Sequence, residues 1–228
     1  MLFCKKMGII RAMKRYKWLL FDLDGTIIYS HPGIFSCARL AMQEMGEPFP
    51  YDEQFLRQMV GPPLEYTFEF IFGLSTERAE QATKIYRKHY AVTGVNENEL
   101  IPGIKDALCA LKNAGYCLGM ATSKPQRFAD QIAKRLEIDG YFDKIVGCGL
   151  DGSLPTKADV IIEAMQQLGA TKEKTLMIGD RFHDSDGAKE VGIDCGLVRV
   201  GYAEEGEIER CAPAFIWDTI QDMKKGLL

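Results

Sequence analysis

The sequence has no apolar run long enough to cross a bilayer, which takes about 20 residues in a helix. It also has no marked excess of either charge, because 28 basic and 32 acidic residues leave a net charge of -4. A balanced composition of this kind lacks the excess of basic residues that is typical of proteins that bind nucleic acid or an anionic membrane. We therefore expect a partner that is neither a nucleic acid nor a membrane.

The cysteines form no recognisable framework. There are seven of them at irregular spacings, and no Cys-x-x-Cys occurs, which argues against both paired disulfides and a zinc site. Such cysteines are typical of a reducing compartment, so the cytoplasm is the expected location. The segment Met1 to Lys17 is basic, and its apolar stretches are too short and interrupted for a secretory signal. Met13 is an alternative start, which would make the residues before it dispensable.

With 228 residues and 46% hydrophobic composition, the chain can bury a sizeable core. The first predicted strand is Trp18–Phe21, and strand and helix patterns alternate from about residue 100 onward. The later strands are predicted at Tyr116–Ala121, Lys144–Cys148, Thr175–Gly179, Cys195–Val200 and Ala214–Trp217. The helices between them are predicted at 103–114, from Pro125 onward, at Thr156–Leu168 and at Asp184–Val191. This alternation predicts an α/β fold with a doubly wound, Rossmann-like parallel sheet.

Residues 31–98 interrupt the alternation with helical patterns only. We predict about four helices there, and hence a core domain of residues 1–30 and 99–228 with an inserted α-helical domain at 31–98. The insert follows the carboxyl end of the first strand, where ligands bind in open α/β sheets. It is therefore expected to cover the ligand site. A role as a structural appendage or a dimerisation arm stays open.

The run from Phe21 to Thr26, Phe-Asp-Leu-Asp-Gly-Thr, is the most informative part of the sequence. It places Asp22 and Asp24 two positions apart at the end of a buried strand. Two neighbouring carboxylates repel each other and call for a metal, a proton or a catalytic role. The alternative is an ordinary strand end with an Asp-Gly turn.

Three further motifs follow strands of the same predicted sheet: Thr122-Ser123-Lys124, Lys157, and the run from Gly179 to Asp184. A hydroxyl with free N–H groups suits a phosphate, and a lysine in a first helical turn opposes the helix dipole unless it serves an anion. The third motif adds the carboxylates of Asp180 and Asp184. Taken singly, each has a plainer explanation as a helix cap, a surface lysine or a turn. Their shared position after strands of one sheet favours a functional site.

This ordered set resembles the haloacid dehalogenase superfamily of aspartate-nucleophile phosphotransferases, over nearly the whole chain from about Tyr16. The helical insert with Gly61-Pro62-Pro63-Leu64 resembles the cap domain of its phosphoglycolate-phosphatase-like branch. The resemblance implies magnesium-dependent hydrolysis of a small-molecule phosphomonoester. Asp22 would be the nucleophile that becomes phosphorylated, and Asp24 the general acid and base. Phosphoglycolate, a nucleoside monophosphate and a sugar phosphate are the candidate substrates.

The resemblance also implies which residues bind the metal and the phosphate. Mg²⁺ would be held by the Asp22 side chain, the Asp24 main-chain carbonyl and Asp180, with Asp184 acting through water. The phosphate-binding residues would be Leu23, Thr122, Ser123 and Lys157. The enzyme would be a monomer or a homodimer.

Two other functions stay open on the same residues. One is a sugar-phosphate mutase of the β-phosphoglucomutase type, which shares the nucleophile. The other is a non-catalytic binding module, against which the presence of Asp22, Asp24, Lys157 and Asp180 counts. A dehalogenase is disfavoured because those relatives lack a second acid at the position of Asp24.

Overall fold

The computed structural model describes residues 16–228, so the expectations for the basic N-terminus and for Met13 lie outside the described residues. The described chain divides into two compact units. The smaller is Tyr29–Glu99, and the larger comprises the described residues up to Ile28 together with Leu100–Leu228. Within residues 16–228, no helix has both the length and the apolar character needed to cross a membrane.

The strands, in chain order, are β1 (Trp18–Phe21), β2 (Ile28–Tyr29), β3 (Glu99–Leu100), β4 (Cys117–Pro125), β5 (Lys144–Cys148), β6 (Thr175–Gly179), β7 (Asp194–Val198) and β8 (Phe215–Trp217). The α-helices of the described chain are α1 (His31–Glu44), α2 (Glu53–Leu56), α3 (Leu64–Tyr66), α4 (Thr76–Val92), α5 (Ile104–Asn113), α6 (Gln126–Arg135), α7 (Lys157–Leu168), α8 (Phe182–Val191), α9 (Glu207–Cys211) and α10 (Ile220–Leu227).

The larger unit is built on a six-stranded sheet in the order β5-β4-β1-β6-β7-β8, and every neighbouring pair is parallel. The predicted α/β, Rossmann-like fold is confirmed. Strand β1 is buried along its whole length, as expected of a central strand covered on both faces. The strands pack against α7 and α8 through a cluster of fully buried side chains: Leu20, Val160, Ile161, Ala164, Met177, Ala188 and Leu197.

The strand register brings three of the four motifs to one edge of this sheet. Phe21 at the end of β1 pairs with Met120 of β4 on one side and with Ile178 of β6 on the other. The residues that follow, including Asp22, therefore leave the sheet beside the ends of both neighbours. Since all three strands are parallel, their carboxyl ends form a single edge.

Several predicted bounds were wrong. Strand β4 continues to Pro125 instead of ending at Ala121, because Thr122 and Pro125 still pair with β5. Helix α6 consequently begins after Pro125, which lies at the N-cap and not at the first helical position. Helix α8 begins at Phe182, two residues before the predicted start, and its first N–H donates to Glu207 at 2.9 Å. Helices α9 and α10 were not predicted.

The smaller unit is helical, with α1 and α4 as its longest elements. Small buried residues such as Ala38, Ala41 and Ala82 allow the helices of this unit to approach closely. A π-helix at Thr67–Ile71 follows α3 and places Phe68 in the core of the unit. The unit therefore has apolar packing of its own.

Candidate active site

The side chains of Asp22 and Lys157 meet at the edge where β1 ends. Asp22 is buried, and its N–H donates to the carbonyl of Ile178 at 2.9 Å, which extends the pairing with β6 by one residue. Lys157 is the first residue of α7, whose start is capped by the Thr156 hydroxyl. Its Nζ donates to Asp22 Oδ1 at 2.5 Å and to the carbonyl of Ala121 at 3.2 Å. The lysine of the first helical turn thus faces an anion.

Asp22, Asp180 and Asp184 form a buried group of carboxylates, each with one oxygen within 4.8 Å of the others. Asp180 is oriented by the N–H of Tyr202, which donates to its Oδ2 at 2.7 Å. Asp184 Oδ2 accepts from the N–H groups of Asp180 and Arg181 at 3.1 and 3.2 Å. Its other oxygen, Oδ1, lies 2.9 Å from the Nζ of the lysine that also binds Asp22. One ammonium group therefore faces two of the three carboxylates.

Glycines let the backbone approach this group closely. A Cβ at Gly25 or at Gly201 would lie 2.1 Å from Asp180 Oδ2, and one at Gly179 would lie 2.2 Å from the Asp184 carboxyl group. Gly25 also has a φ of +79°, which residues with a side chain rarely adopt. Three separate glycines are thus needed to bring the main chain against two carboxylates.

The burial of this group perturbs its pKa values. Burial raises the pKa of Asp22 to about 6; Lys157 opposes the shift, and the charge of Asp184 adds to it. Burial and the charge of Asp184 raise the pKa of Asp180 well above its usual range. Burial alone would lower the pKa of Lys157, but the carboxylates of Asp184 and Asp22 outweigh it and raise the pKa. The single lysine therefore does not compensate the negative charge of the group.

Asp24 does not belong to this group of three carboxylates, although its negative charge adds to the rise in the pKa of Asp22. Asp24 Oδ2 lies 3.0 Å from the Nζ of Lys124, and the lysine side chain is only 6% exposed. Sequence reasoning quoted Lys124 within its motif but gave it no role. The available signal was its position two residues after Thr122, on a strand that neighbours β1.

The other predicted phosphate-binding residues lie along the same edge. Thr122 is buried, and its hydroxyl oxygen accepts from the N–H of Lys124 at 3.2 Å. Ser123 is exposed, and its carbonyl accepts from the Cys148 thiol. Leu23 is fully buried, and its carbonyl accepts from N–H groups of the following turn. Thr122 and Lys157 are the two of these residues that bring a buried polar side chain to this edge.

A buried ion pair that the sequence did not indicate supports the run after β6. Arg181 Nε donates to Glu207 Oε1 at 2.8 Å, and the same carboxylate accepts from the N–H groups of Phe182 and Glu204. Both charged side chains are less than a tenth exposed. The pair ties the start of α9 to the segment that carries Asp180 and Asp184. No local pattern predicts it, because its partners lie 26 residues apart.

Known proteins share this arrangement of sequence and fold. The profile of the family described as haloacid dehalogenase-like hydrolase matches residues 19–198. A 5′-nucleotidase from Pseudomonas aeruginosa is 38% identical over 202 residues, which cover 89% of this chain and 91% of that protein. Tyrosine-protein kinase PtkA from Mycobacterium tuberculosis is 37% identical over 211 residues, which cover 92% of this chain and 72% of that protein.

A solved structure agrees with the sequence relatives. A haloacid dehalogenase-like family hydrolase from Streptococcus pneumoniae aligns with a TM-score of 0.88 and 33% identity, covering 94% of this chain and 100% of that chain. The family match includes every motif from Asp22 to Asp184. Since the profile spans well over half of the chain and the relatives align over nearly all of it, the chain belongs to the haloacid dehalogenase-like hydrolases and is a phosphatase of that family.

Proposed function

We propose that this phosphatase hydrolyses a small-molecule phosphomonoester in a magnesium-dependent reaction, through a phosphoaspartyl intermediate on Asp22. The observation that carries the proposal is the position of the Asp22 carboxylate. It is buried at a strand end, bound to Lys157 and within 4.8 Å of two further carboxylates. A phosphoryl group needs an in-line nucleophile and positive charge around its oxygens. Asp22 supplies the nucleophile, and Lys157 supplies part of the positive charge.

The donor set fits a magnesium ion. Mg²⁺ prefers oxygen ligands and is bound by few carboxylates together with water and substrate phosphate. The three carboxylates are buried close together, and the pKa values of Asp22 and Asp180 are raised because their ionised forms are disfavoured there. A divalent cation would neutralise this negative charge. Asp22, Asp180 and the main-chain carbonyl of Asp24 would hold the ion directly, and Asp184 would act through water. When bound, the ion supplies positive charge that offsets the charge of the phosphate oxygens.

The chain's own residues carry out two steps. In the first, an oxygen of Asp22 forms a bond to phosphorus while the bond to the alcohol oxygen breaks, and Asp24 gives that oxygen a proton. In the second, Asp24 takes a proton from water, whose oxygen displaces Asp22 from phosphorus and releases phosphate. Thr122 and Lys157 hold phosphate oxygens in both steps, with the main chain at Leu23 and Ser123 completing the site.

The smaller unit is proposed to be the cap domain that decides the substrate. It is inserted between the first motif and the second, and it has its own apolar core. A nucleoside 5′-monophosphate is the first candidate, because a 5′-nucleotidase is 38% identical over nine-tenths of both chains. Phosphoglycolate and a sugar phosphate follow. The proposal also includes a cytoplasmic location, a monomeric or homodimeric enzyme, and no nucleic-acid or membrane partner.

The test is a phosphate-release screen of the wild type and of Asp22→Asn against a panel of phosphomonoesters, with magnesium and with chelator. Asp139→Asn is the matched control, because Asp139 is an exposed residue outside the site. We expect release that needs both magnesium and Asp22 and is unaffected in the control. No release from any monoester by a folded wild type would overturn the proposal.

The alternatives give different products in the same screen. A mutase would convert a sugar monophosphate to its isomer and would need a sugar bisphosphate for turnover. Because a tyrosine-protein kinase is among the relatives, one arm supplies ATP with a tyrosine-containing peptide. Phosphate found on the peptide and not in solution would contradict hydrolysis. Binding of magnesium and phosphate without turnover would favour the non-catalytic function.

A further inference from the structure

A buried lysine outside the predicted site residues binds the Asp24 carboxylate. The Nζ of Lys124 lies 3.0 Å from Asp24 Oδ2, with exposed side-chain fractions of 6% for the lysine and 17% for the aspartate. Burying an ammonium group is costly unless an anion compensates it. Both residues belong to the larger unit, so their contact lies within one compact body.

The backbone around Lys124 is fixed from two sides. Its N–H donates to the Thr122 hydroxyl oxygen at 3.2 Å. On the other side, a Cβ at Gly147 would lie 2.4 Å from the Lys124 carbonyl oxygen, so β5 fits closely against this residue. Gly147 itself donates to the Gln126 side chain at 2.7 Å. A lysine whose backbone is fixed and whose ammonium group contacts a partly buried carboxylate can hold that carboxylate in one orientation.

The two oxygens of Asp24 differ in their surroundings. Oδ2 faces the lysine, whereas Oδ1 is buried and accepts no hydrogen bond from the part of the chain that the structure describes. We propose that Lys124 is a positioning residue that holds Asp24 by Oδ2 and so fixes the orientation of the carboxyl group that gives and takes the proton during catalysis. This inference rests on the proposed function of Asp24 as general acid and base.

Aryl phosphates with different leaving groups test the inference without knowledge of the natural substrate. Phenol has a pKa of about 10 and needs a proton on leaving, whereas p-nitrophenol is far more acidic and leaves as an anion. The value of kcat/KM includes only the steps up to release of this alcohol. A misoriented Asp24 therefore lowers kcat/KM for phenyl phosphate and spares p-nitrophenyl phosphate.

We expect Lys124→Met to lower kcat/KM for phenyl phosphate by about 100-fold, the usual size of a general-acid contribution, and to change that for p-nitrophenyl phosphate by less than about threefold. Lys124→Arg keeps a cation and should restore most of the loss. Lys134→Met is the control, because Lys134 is exposed on α6. In an Asp24→Asn background, Lys124→Met should cause no further change in the ratio, since the two residues act as one unit.

The outcomes distinguish a failure of the proposed function from a failure of the proposed role of Lys124. If the folded wild type hydrolyses neither these two esters nor any other phosphomonoester, the proposed function fails. If Asp24→Asn discriminates between the leaving groups but folded Lys124→Met lowers both values equally or neither, the role of Lys124 is wrong. Should the methionine variant not fold, Lys124→Gln provides the same comparison, and equal losses there overturn the inference in the same way.

Discussion

Magnesium binding to this protein should weaken steeply as the pH falls below about 6. Burial raises the pKa of Asp22 to about 6 in the metal-free protein; Lys157 opposes the shift, and the charges of Asp184 and Asp24 add to it. A carboxylate must lose its proton before it can bind a metal. Above pH 6 the Asp22 carboxyl group is mostly ionised and can bind the ion directly. Below pH 6 it is mostly protonated, and the ion has to displace the proton.

The magnitude follows from one competing proton. At pH 7.5 nearly every Asp22 carboxyl group is ionised, but at pH 5 only about one in eleven is, so the apparent Kd for Mg²⁺ rises about tenfold. That factor corresponds to about 1.4 kcal/mol of binding free energy. Asp180 shares the effect, since burial and the charge of Asp184 also raise its pKa. The tenfold weakening is therefore a lower bound.

Isothermal titration calorimetry at pH 7.5 and at pH 5 measures both the Kd and the protons released. Titrations in two buffers with different ionisation enthalpies give the proton count at each pH. We expect the number of protons released per Mg²⁺ bound to be greater at pH 5 than at pH 7.5 by about one or more. The Asp22→Asn variant should show a smaller pH dependence of its Kd. A wild-type Kd that changes less than about twofold between the two pH values would refute the reasoning.

Three further predictions concern stability, measured by thermal unfolding in chelator. Lys157→Met leaves two buried carboxylates without their cation and should cost about 3 kcal/mol, or roughly 6–12 °C in Tm, whereas Lys134→Met at an exposed site should change little. Gly25→Ala should destabilise more than Gly46→Ala and should also weaken Mg²⁺ binding, because both glycines have positive φ but only Gly25 has a carboxylate where a Cβ would lie. Glu207→Gln should cost about 3 kcal/mol, because it leaves a buried guanidinium group without an anion.

Different results would contradict each of these three. A chelated Lys157→Met protein as stable as the wild type would mean that the lysine does not compensate the carboxylates. Equal losses of stability in Gly25→Ala and Gly46→Ala would mean that backbone strain alone, and not the nearby carboxylate, destabilises the Gly25 variant. An unchanged Tm for Glu207→Gln would show that the neutral amide satisfies the arginine and the two N–H groups equally well.

The strands were predictable where burial alone decides the structure. The bounds of β1, β5 and β6 agree with the sequence, since each is a short apolar or β-branched run that ends in polar or glycine residues. The end of β4 was not predictable in this way. Its last residues are polar, and they stay extended because Thr122 and Pro125 pair with β5. A tertiary contact thus overrides the local pattern.

The site was predictable in its residue types and less so in its contacts. The carboxylates and Lys157 could be read from motifs that follow strands. The donors that orient them could not, because Tyr202 lies 22 residues from the carboxylate that its N–H binds, and Glu207 lies 26 from Arg181. Such contacts depend on where the connections between strands bring the chain back to the sheet. The spacing of residues along the sequence does not predict them.

The sequence places Asp22 and Asp24 two positions apart at one strand end, and the structure gives them different partners. Asp22 faces Lys157 and shares a buried group with two other carboxylates, whereas Asp24 faces Lys124 apart from that group. Two carboxyl groups with different surroundings can take different roles in one reaction, one as nucleophile and the other as acid and base. We therefore infer that the two lysines, from β4 and α7, help to assign the proposed roles of nucleophile and of acid and base to the two aspartates. If that is correct, removing either lysine should impair a different part of the reaction: Lys157 the binding of phosphate and metal, and Lys124 the transfer of the proton.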